Sequence, residues 1–252
     1  MEYMSQEKNR YFSSLGDYLQ KLGNAFFRWR SYIPLLLIPI LLLKLKNLQF
    51  VFSNNIVEIA YQLVCVFVSF FGEFIRIGTI GYVPSGTSGR NTKAQRATAL
   101  NTTGTYSLAR NPLYLGNYLI ILGISLFSRS WEIVILNSIL FAVFYVPIIL
   151  VEENFLTEKF GEEYRKYTSK APCFLPRFSL WNPANSEWSW RMVIRREHNS
   201  IFAIGLSFAL IAHFRLYLIN TKLILGMSWL MFVGVLMFLW LIVRILRLAK
   251  KL

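Results

Sequence analysis

The residues of this sequence that are most able to do chemistry stand at the two ends of a predicted helical hairpin. Arg110, Asn111 and Tyr114 open a short apolar run, and Glu152 and Glu153 close the apolar run that follows it. A very short turn joins the two runs, so their far ends are expected to lie side by side. A cation, an amide, a phenol and two carboxylates should therefore meet at one membrane surface, where ionisable groups are costly and usually functional.

The start of the hairpin has two further features. Pro112 suits the first turn of a helix, where backbone N–H groups have no intrahelical partner. Gly116 and Gly123 remove side chains along one helix face, so that a second helix or a flat ring can approach. A single arginine or glutamate at a membrane boundary is as readily an anchor or a solvated charge as a functional group. The whole set, at this spacing, favours a binding or catalytic site.

The composition is that of a membrane protein. Of the 252 residues, 55% are hydrophobic and 16% are charged, and the mean hydropathy is +0.43, whereas soluble domains carry about a quarter charged residues. Apolar runs recur along the whole chain, so a single secretory signal does not explain them. The sequence predicts an all-α polytopic membrane protein with about six spans. These spans cover 32–52, 56–77, 114–127, 131–151, 200–219 and 223–243.

The positive charge is distributed as membrane topology requires. The formal net charge is +14, which in a soluble protein would indicate a nucleic-acid partner. With both termini in the cytoplasm, 22 of the 27 lysines and arginines fall on the inner side and 5 on the outer side, as the positive-inside rule predicts. We therefore expect a multi-pass protein with a cytoplasmic site, no nucleic-acid partner and some attraction to anionic head groups.

No motif for a metal or for nucleotide phosphates accompanies the hairpin. Cys65 and Cys173 lie far apart, and there is no Cys-x-x-Cys pair or histidine cluster, so the sequence predicts no metal site. The loop VPSGTSGRN at 83–91 either exposes backbone N–H groups to an anion or is a flexible connector. His198 is interpreted as part of an interface patch that can touch a lipid head group. His213 is interpreted as a structural polar contact.

The chain divides into four segments on this interpretation. Residues 1–31 form an amphipathic interfacial helix, with a disordered tail as the alternative. Residues 32–103 hold the first two membrane helices and the glycine-rich cytoplasmic loop. Residues 104–178 hold the hairpin and the segment after it. Residues 179–252 hold an interfacial, tryptophan-rich segment and a C-terminal pair of membrane helices.

The hairpin and the segment after it resemble a known family. GTYSLARNPLYLGNYLIILG, followed by VEENFLTEKFGEEYRKYTSKAPCFLPRF, is similar to the signature of the isoprenylcysteine carboxyl methyltransferase and phospholipid methyltransferase superfamily. The resemblance covers about residues 104–178, the predicted methyltransferase core, and it is specific as an ordered set. The matching residues are Gly104, Tyr106, Arg110, Pro112, Tyr114, Gly116, Glu152, Glu153, Phe160, Gly161, Tyr164, Tyr167 and Pro176.

The resemblance implies a membrane enzyme that binds S-adenosylmethionine and brings its methyl group to a lipophilic acceptor. Arg110 and Asn111 are the expected catalytic residues. Carboxylates suit the ammonium or the ribose hydroxyls of this cofactor, and a guanidinium suits its carboxylate. The residues expected to bind the cofactor are Tyr106, Arg110, Asn111, Pro112, Tyr114, Gly116, Glu152, Glu153 and Tyr164.

One residue departs from the family pattern. Asn111 stands where the family has a histidine, and an amide does not titrate near neutral pH. A carboxylate or phosphate acceptor is already nucleophilic, whereas an amine must first lose a proton. The sequence therefore favours in-line methyl transfer to an anionic lipid-like acceptor, with Arg177, Arg195 and Arg196 as its binding residues. Stepwise N-methylation of phosphatidylethanolamine is the alternative.

Two further classes of function fit parts of the pattern. Sterol-reductase C-termini have a similar Arg-x-Pro-x-Tyr-x-Gly sequence, but they bind a nicotinamide cofactor whose 2′-phosphate Glu152 and Glu153 would repel. A non-enzymatic membrane binding protein would explain Asn111, but it would not explain the retention of Arg110 and both glutamates. The cofactor that raises the melting temperature of the purified protein distinguishes these classes.

The predicted topology can be tested by cysteine-accessibility labelling in a background that lacks both native cysteines. Ser88→Cys and Ser186→Cys are expected to report the cytoplasmic side, because both positions lie in segments rich in lysine and arginine. A membrane-impermeant maleimide added to intact cells should therefore label neither position, and permeabilisation should make both reactive. Labelling of either one in intact cells would contradict this topology.

Overall fold

The computed structural model describes residues 18–29, 54–83, 97–220 and 227–249, and within them the chain is mostly helical, with no strand. A 3-10 helix at Phe178–Leu180 lies between the sixth and seventh helices. In chain order the helices are α1 (18–29), α2 (Asn55–Gly81), α3 (Thr105–Leu108), α4 (Pro112–Phe127), α5 (Trp131–Phe160), α6 (Glu162–Thr168), α7 (Trp190–Asn220) and α8 (Met227–Leu248).

Four of these helices, α2, α5, α7 and α8, are long and apolar enough to cross a membrane, and α4 is a shorter apolar helix. The all-α polytopic fold is thereby confirmed, and five of the six predicted spans coincide with helices. The sixth, 32–52, lies outside the described residues. α7 begins at Trp190, well before the predicted span at 200, because its polar first turns remain helical while they bury Val193 and Glu197.

The ends of α4 and α5 follow local sequence rules. Pro112 occupies the first turn of α4, where its missing N–H costs nothing. α5 continues past its apolar run to Phe160, as its amphipathic sequence predicts, and it ends at Gly161. Gly161 has a φ of 52°, in the left-handed region that favours glycine. This continuation keeps Glu152 and Glu153 on a regular helix.

Small residues allow α2 and α4 to pack closely. A Cβ atom added at Gly72 would lie 2.5 Å from the carbonyl oxygen of Gly116, and one added at Gly116 would lie 2.7 Å from that of Gly72. Further along the same face, Gly123 packs against Ser69 and Cys65. A second helix therefore occupies the glycine face of α4. Close backbone approach is the usual way for helices to associate in a membrane, where the hydrophobic effect does not drive them together.

Two apolar clusters hold the helices together. The first joins α1, α4 and α5 through Phe27, Tyr114, Phe141, Tyr145, Ile148 and Ile149. The second joins α2, α4 and α7 through Cys65, Phe127, Ile204, Phe208, Ile211 and Ala212. In α1, Gly23 lies directly against Pro147 and Val151 of α5. The described part of the N-terminal segment is thus helical, as predicted, and it packs on the protein.

A polar cluster that the sequence did not predict joins α2, α4 and α7. Arg76 Nη2 lies 2.9 and 2.8 Å from the two carboxylate oxygens of Glu197, and Nη1 donates to Asn117. Glu73 Oε2 lies 3.6 Å from Arg76 Nε and accepts a hydrogen bond of 2.7 Å from the Ser200 hydroxyl. Glu73 and Glu197 are each 1% exposed. Because each buried charge needs its partner, the cluster specifies which faces of the three helices meet.

Removal of one member of this cluster should destabilise the protein strongly. Glu197→Ala removes the carboxylate that accepts the short hydrogen bonds of Arg76 and leaves only the longer carboxylate contact to Glu73, and breaking a buried pair costs about 3–5 kcal/mol. We expect a clear fall in the Tm of the purified protein in detergent, followed by tryptophan fluorescence. Glu187→Ala, which removes an exposed carboxylate just before the same helix, should change the Tm little. Equal Tm values for the two variants would rule out this structural role.

Candidate active site

The open end of the hairpin, where α4 begins and α5 leaves its apolar run, is joined by a bidentate ion pair. Arg110 Nε lies 2.9 Å from Glu153 Oε1, and Arg110 Nη2 lies 3.1 Å from Glu153 Oε2. Arg110 precedes α4 and Glu153 lies on α5. The two side chains are 17% and 20% exposed, so the pair can be reached from outside. A planar guanidinium is the group that matches a carboxylate in this geometry.

Arg110 also fixes the segment that follows α6. Its Nη1 donates to the carbonyl oxygens of Thr168 and Ala171 at 3.3 and 3.0 Å, and its backbone N–H donates to that of Pro172 at 2.8 Å. Burial lowers the pKa of Arg110, but Glu153 more than offsets this and raises it above its ordinary value. The guanidinium therefore stays charged and holds the segment 168–173 across the open end of the hairpin.

Asn111, directly before α4, makes further hydrogen bonds at the open end of the hairpin. Its Nδ2 donates to the carbonyl oxygen of Cys173 at 3.1 Å and lies 3.3 Å from Glu153 Oε1. The residue is 8% exposed, and its side chain makes no capping hydrogen bond to α4. The amide therefore orients Glu153 and the segment after α6. An amide does this at any pH, whereas a histidine would titrate near neutral pH.

A thiol and a phenol lie near the same carboxylate. Cys173 Sγ is 3.8 Å from Glu153 Oε1 and 3.6 Å from Asn111 Nδ2. Burial, and next the Glu153 carboxylate, raise the pKa of Cys173, and the same two causes raise the pKa of Tyr164. Both groups are therefore neutral at pH 7. Nothing in the sequence singled out Cys173, because its neighbours in space are remote along the chain.

Glu152 lies within electrostatic range of another phenol, Tyr106. Burial raises the pKa of Tyr106, the Glu152 carboxylate raises it further and the Arg196 guanidinium lowers it, so both charges lie within electrostatic range of the phenol. Tyr106 also lines a cavity of about 200 Å³ between the end of α2, the stretch before α3 and residues 184–186. Hydroxyl and amide groups dominate its polar wall, from Thr79, Asn101, Thr102, Thr103, Thr105, Tyr106, Asn185 and Ser186. Such a wall suits a neutral group with several hydroxyls.

The other residues predicted for the site have different surroundings. Tyr114 is buried and packs edge-on against an aromatic ring of α5, with ring centroids 5.2 Å apart. Gly116 packs against α2, and Pro112 is buried in the first turn of α4. Arg177 and Arg195 are exposed. Tyr114, Gly116 and Pro112 contribute packing contacts. A binding role for these three residues, and for Arg177 and Arg195, stays a prediction.

Part of the chain matches the profile of a known family. Residues 56–163 match the profile of a family described as phospholipid methyltransferase. This range contains the α4–α5 hairpin with both members of the Arg110–Glu153 pair. No solved structure matches the chain significantly.

Three curated proteins are among those similar to the chain. The cobalt-zinc-cadmium resistance protein CzcN of Cupriavidus metallidurans is 35% identical over 112 residues, 43% of this chain and 50% of that protein. The nickel-cobalt-cadmium resistance protein NccN of Alcaligenes xylosoxydans xylosoxydans is 34% identical over 87 residues, 34% and 40% of the two chains. The protein-S-isoprenylcysteine O-methyltransferase of Schizosaccharomyces pombe is 27% identical over 128 residues, 50% and 53% of the two chains. The chain thus spans about half the length of the curated relatives it matches.

The family profile and the isoprenylcysteine O-methyltransferase relative confirm the resemblance to the membrane methyltransferases that residues 104–178 carry. Metal resistance appears in the names of two relatives. Among the described residues of this chain, no group of three or more His, Cys, Asp and Glu side chains is placed to hold a metal ion.

The thiol of Cys173 should report on the carboxylate beside it. Glu153→Gln removes a negative charge that raises the pKa of Cys173, so a larger fraction of the thiol is ionised at a given pH, and the thiolate is the reactive form. Alkylation by iodoacetamide at about pH 8, below the ordinary thiol pKa, should be faster in the variant than in the wild type. Cys65 is 0% exposed and should not react. Glu163→Gln, on the exposed surface of α6, is the matched control, and an equal or slower rate in Glu153→Gln would contradict the contact.

Proposed function

We propose that this protein is an S-adenosylmethionine-dependent methyltransferase whose active site lies at the open end of the α4–α5 hairpin. The observation that carries the proposal is the partly exposed Arg110–Glu153 pair, which lies inside the segment that matches the methyltransferase family. Charged groups at the edge of a membrane domain usually serve function. By the positive-inside argument, this end of the bundle faces the cytoplasm.

The side chains at this end fit the proposed cofactor. S-adenosylmethionine, when bound, supplies a methyl group on a sulfonium, and it carries an ammonium, a carboxylate and ribose hydroxyls. Glu153 Oε2 accepts one hydrogen bond, from Arg110, so it retains a lone pair for an ammonium donor. Tyr106 lines the hydroxyl-lined cavity, and Glu152 lies within electrostatic range of Tyr106, so the two suit the ribose hydroxyls. Tyr164, as a neutral phenol, can donate a hydrogen bond.

Positioning is the main task of these residues. Methyl transfer is an in-line displacement, in which correct placement supplies several kcal/mol of the barrier. Arg110 holds Glu153 and the segment after α6 in one arrangement, and Asn111 also contacts both. The amide of Asn111 accepts no proton at neutral pH. The site therefore suits an acceptor that arrives already deprotonated.

We infer that the acceptor is lipophilic and carries a carboxylate or phosphate. Arg196 lies within electrostatic range of the site, and Arg177 lies beside α3, because its N–H donates to the carbonyl of Leu108 at 2.9 Å. These charges, with the exposed Arg195, favour an anionic head group. Large apolar side chains such as Leu150 of α5 are exposed nearby, so the tail of the acceptor can remain in lipid.

N-methylation of phosphatidylethanolamine is the second candidate. The description of the matched family as phospholipid methyltransferase favours it. An amine acceptor must lose a proton before it attacks, and Glu152 or Glu153 would have to accept that proton, since Asn111 does not. The two candidates share the cofactor site and differ in the atom that is methylated.

Incubation with methyl-labelled S-adenosylmethionine and a total lipid extract tests the reaction. The wild type is expected to label a lipid, and Glu153→Gln is expected to label it at least about tenfold more slowly, because a lost charged hydrogen bond costs about 1.5–3 kcal/mol. Glu163→Gln, in which an exposed carboxylate is changed, should match the wild type. The absence of any labelled lipid with the wild type at saturating cofactor would contradict the proposal.

The same assay run across pH separates the two acceptors. A carboxylate acceptor is already ionised between about pH 6 and 8, since its pKa lies lower, so the rate should be nearly flat. An amine acceptor should give a rate that rises with pH. Recovery of N-methylated phospholipid as the sole labelled product would reject the anionic acceptor and establish the amine.

A further inference from the structure

A second group of charged side chains lies at the end of the bundle opposite the Arg110–Glu153 pair. Glu58 is in the first turn of α2, Arg129 is in the turn between α4 and α5, and Arg215 is near the end of α7. The 16 residues of α4 separate the two ends by about 24 Å at 1.5 Å per residue. Three elements that are distant in sequence therefore bring charges together at the other surface of the membrane domain.

Both arginines of this group share one oxygen of Glu58. Oε1 accepts hydrogen bonds from Arg129 Nη2 and from Gln62 Nε2, the latter at 2.8 Å. Arg215 Nη2 lies 3.5 Å from the same oxygen, which is beyond the usual length of a hydrogen bond. Arg215 Nε is buried and has no hydrogen-bond partner among the described residues. Arg215 thus presents a buried donor that Glu58 does not satisfy.

The charges of this group do not balance. Two arginines face one glutamate, and the side chains of Arg129 and Arg215 are 2% and 10% exposed, so water screens their charges poorly. Residues 18–57 and 198–252 contain no Asp or Glu. Glu132 is exposed at the start of α5, near Arg129 in sequence, whereas Glu58 is the one carboxylate beside Arg215 among the described residues. A buried surplus cation is costly unless an anion accompanies it.

We propose that Arg129 and Arg215 bind the phosphate of an anionic lipid head group. Glu58 is 27% exposed, so a lipid head group can reach the charged cluster at that point. Ile59, the next residue of α2, is 57% exposed and offers apolar contact to an acyl chain. Guanidinium groups match phosphate oxygens through paired N–H donors. A free phosphate ion has the same chemistry and is the other source that the experiment must separate.

Native mass spectrometry and thermal unfolding of the full-length protein in detergent test this proposal. Phosphatidylglycerol is expected to leave one retained lipid per protein and to raise the Tm, and phosphatidylcholine is expected to do neither. Arg215→Gln removes the unsatisfied guanidinium and should weaken phosphatidylglycerol binding about tenfold or more. Arg165→Gln, which changes an arginine that is 69% exposed at the other end of the protein, is the matched control and should bind as the wild type does.

Glu58→Gln separates lipid binding from a purely structural ion pair, even if Arg215→Gln fails to fold. This change removes the carboxylate that competes with the ligand, so we expect tighter binding of phosphatidylglycerol. If Glu58 and the arginines form only a structural ion pair, Glu58→Gln should lower the Tm and leave the affinity for phosphatidylglycerol unchanged. That result would overturn the proposal. Equal retention of the two lipids, or unchanged affinity in Arg215→Gln, would also overturn it. If inorganic phosphate raised the Tm as much as phosphatidylglycerol does, the lipid would be rejected as the ligand.

Discussion

The bidentate pair of Arg110 and Glu153 links two helices across 43 residues of sequence. At the edge of a membrane domain each of these charges is costly without the other, so α4 and α5 have to present their ends together and in one rotation. The remaining donors of Arg110 then hold the segment after α6. Asn111, Cys173 and Tyr164 are all arranged around the carboxylate of this pair.

Close backbone packing and buried ion pairs, which stabilise helix association in a membrane, position the helices next to this pair. There is no room for a Cβ atom at Gly72 or Gly116, and this allows α2 and α4 to approach closely. The buried pair of Arg76 and Glu197 adds α7, and Arg76 also reaches Asn117 on α4. α4 therefore carries Asn111 at its start and the contacts to two other helices one to two turns later. A change in that packing would rotate the candidate site.

Much of this arrangement could be predicted from the sequence. Hydropathy located the described spans, the short turn placed Arg110 and Glu153 at the same end, and Gly161 marked the end of α5. The pairing of Arg110 with Glu153 could not be predicted. The spacing of charged residues along the chain shows which groups lie at the same end of the hairpin, but it does not show which of them form an ion pair. In the sequence, Arg76 is only one of many cytoplasmic-side charges, since its partner Glu197 lies on a helix far along the chain. The position of Cys173 depends on how the segment after α6 folds back, which no local pattern specifies.

Binding of S-adenosylmethionine at the Arg110–Glu153 pair is tested most directly by protection of Cys173. The chain has two cysteines; Cys65 is buried and Cys173 is exposed beside Glu153, so thiol alkylation of the unmodified protein reads out this one position. We predict that S-adenosylmethionine slows alkylation of Cys173 saturably, and that Glu153→Gln needs at least about tenfold more cofactor for the same protection. Alkylation at the same rate with and without saturating cofactor would contradict the placement of the cofactor at this site.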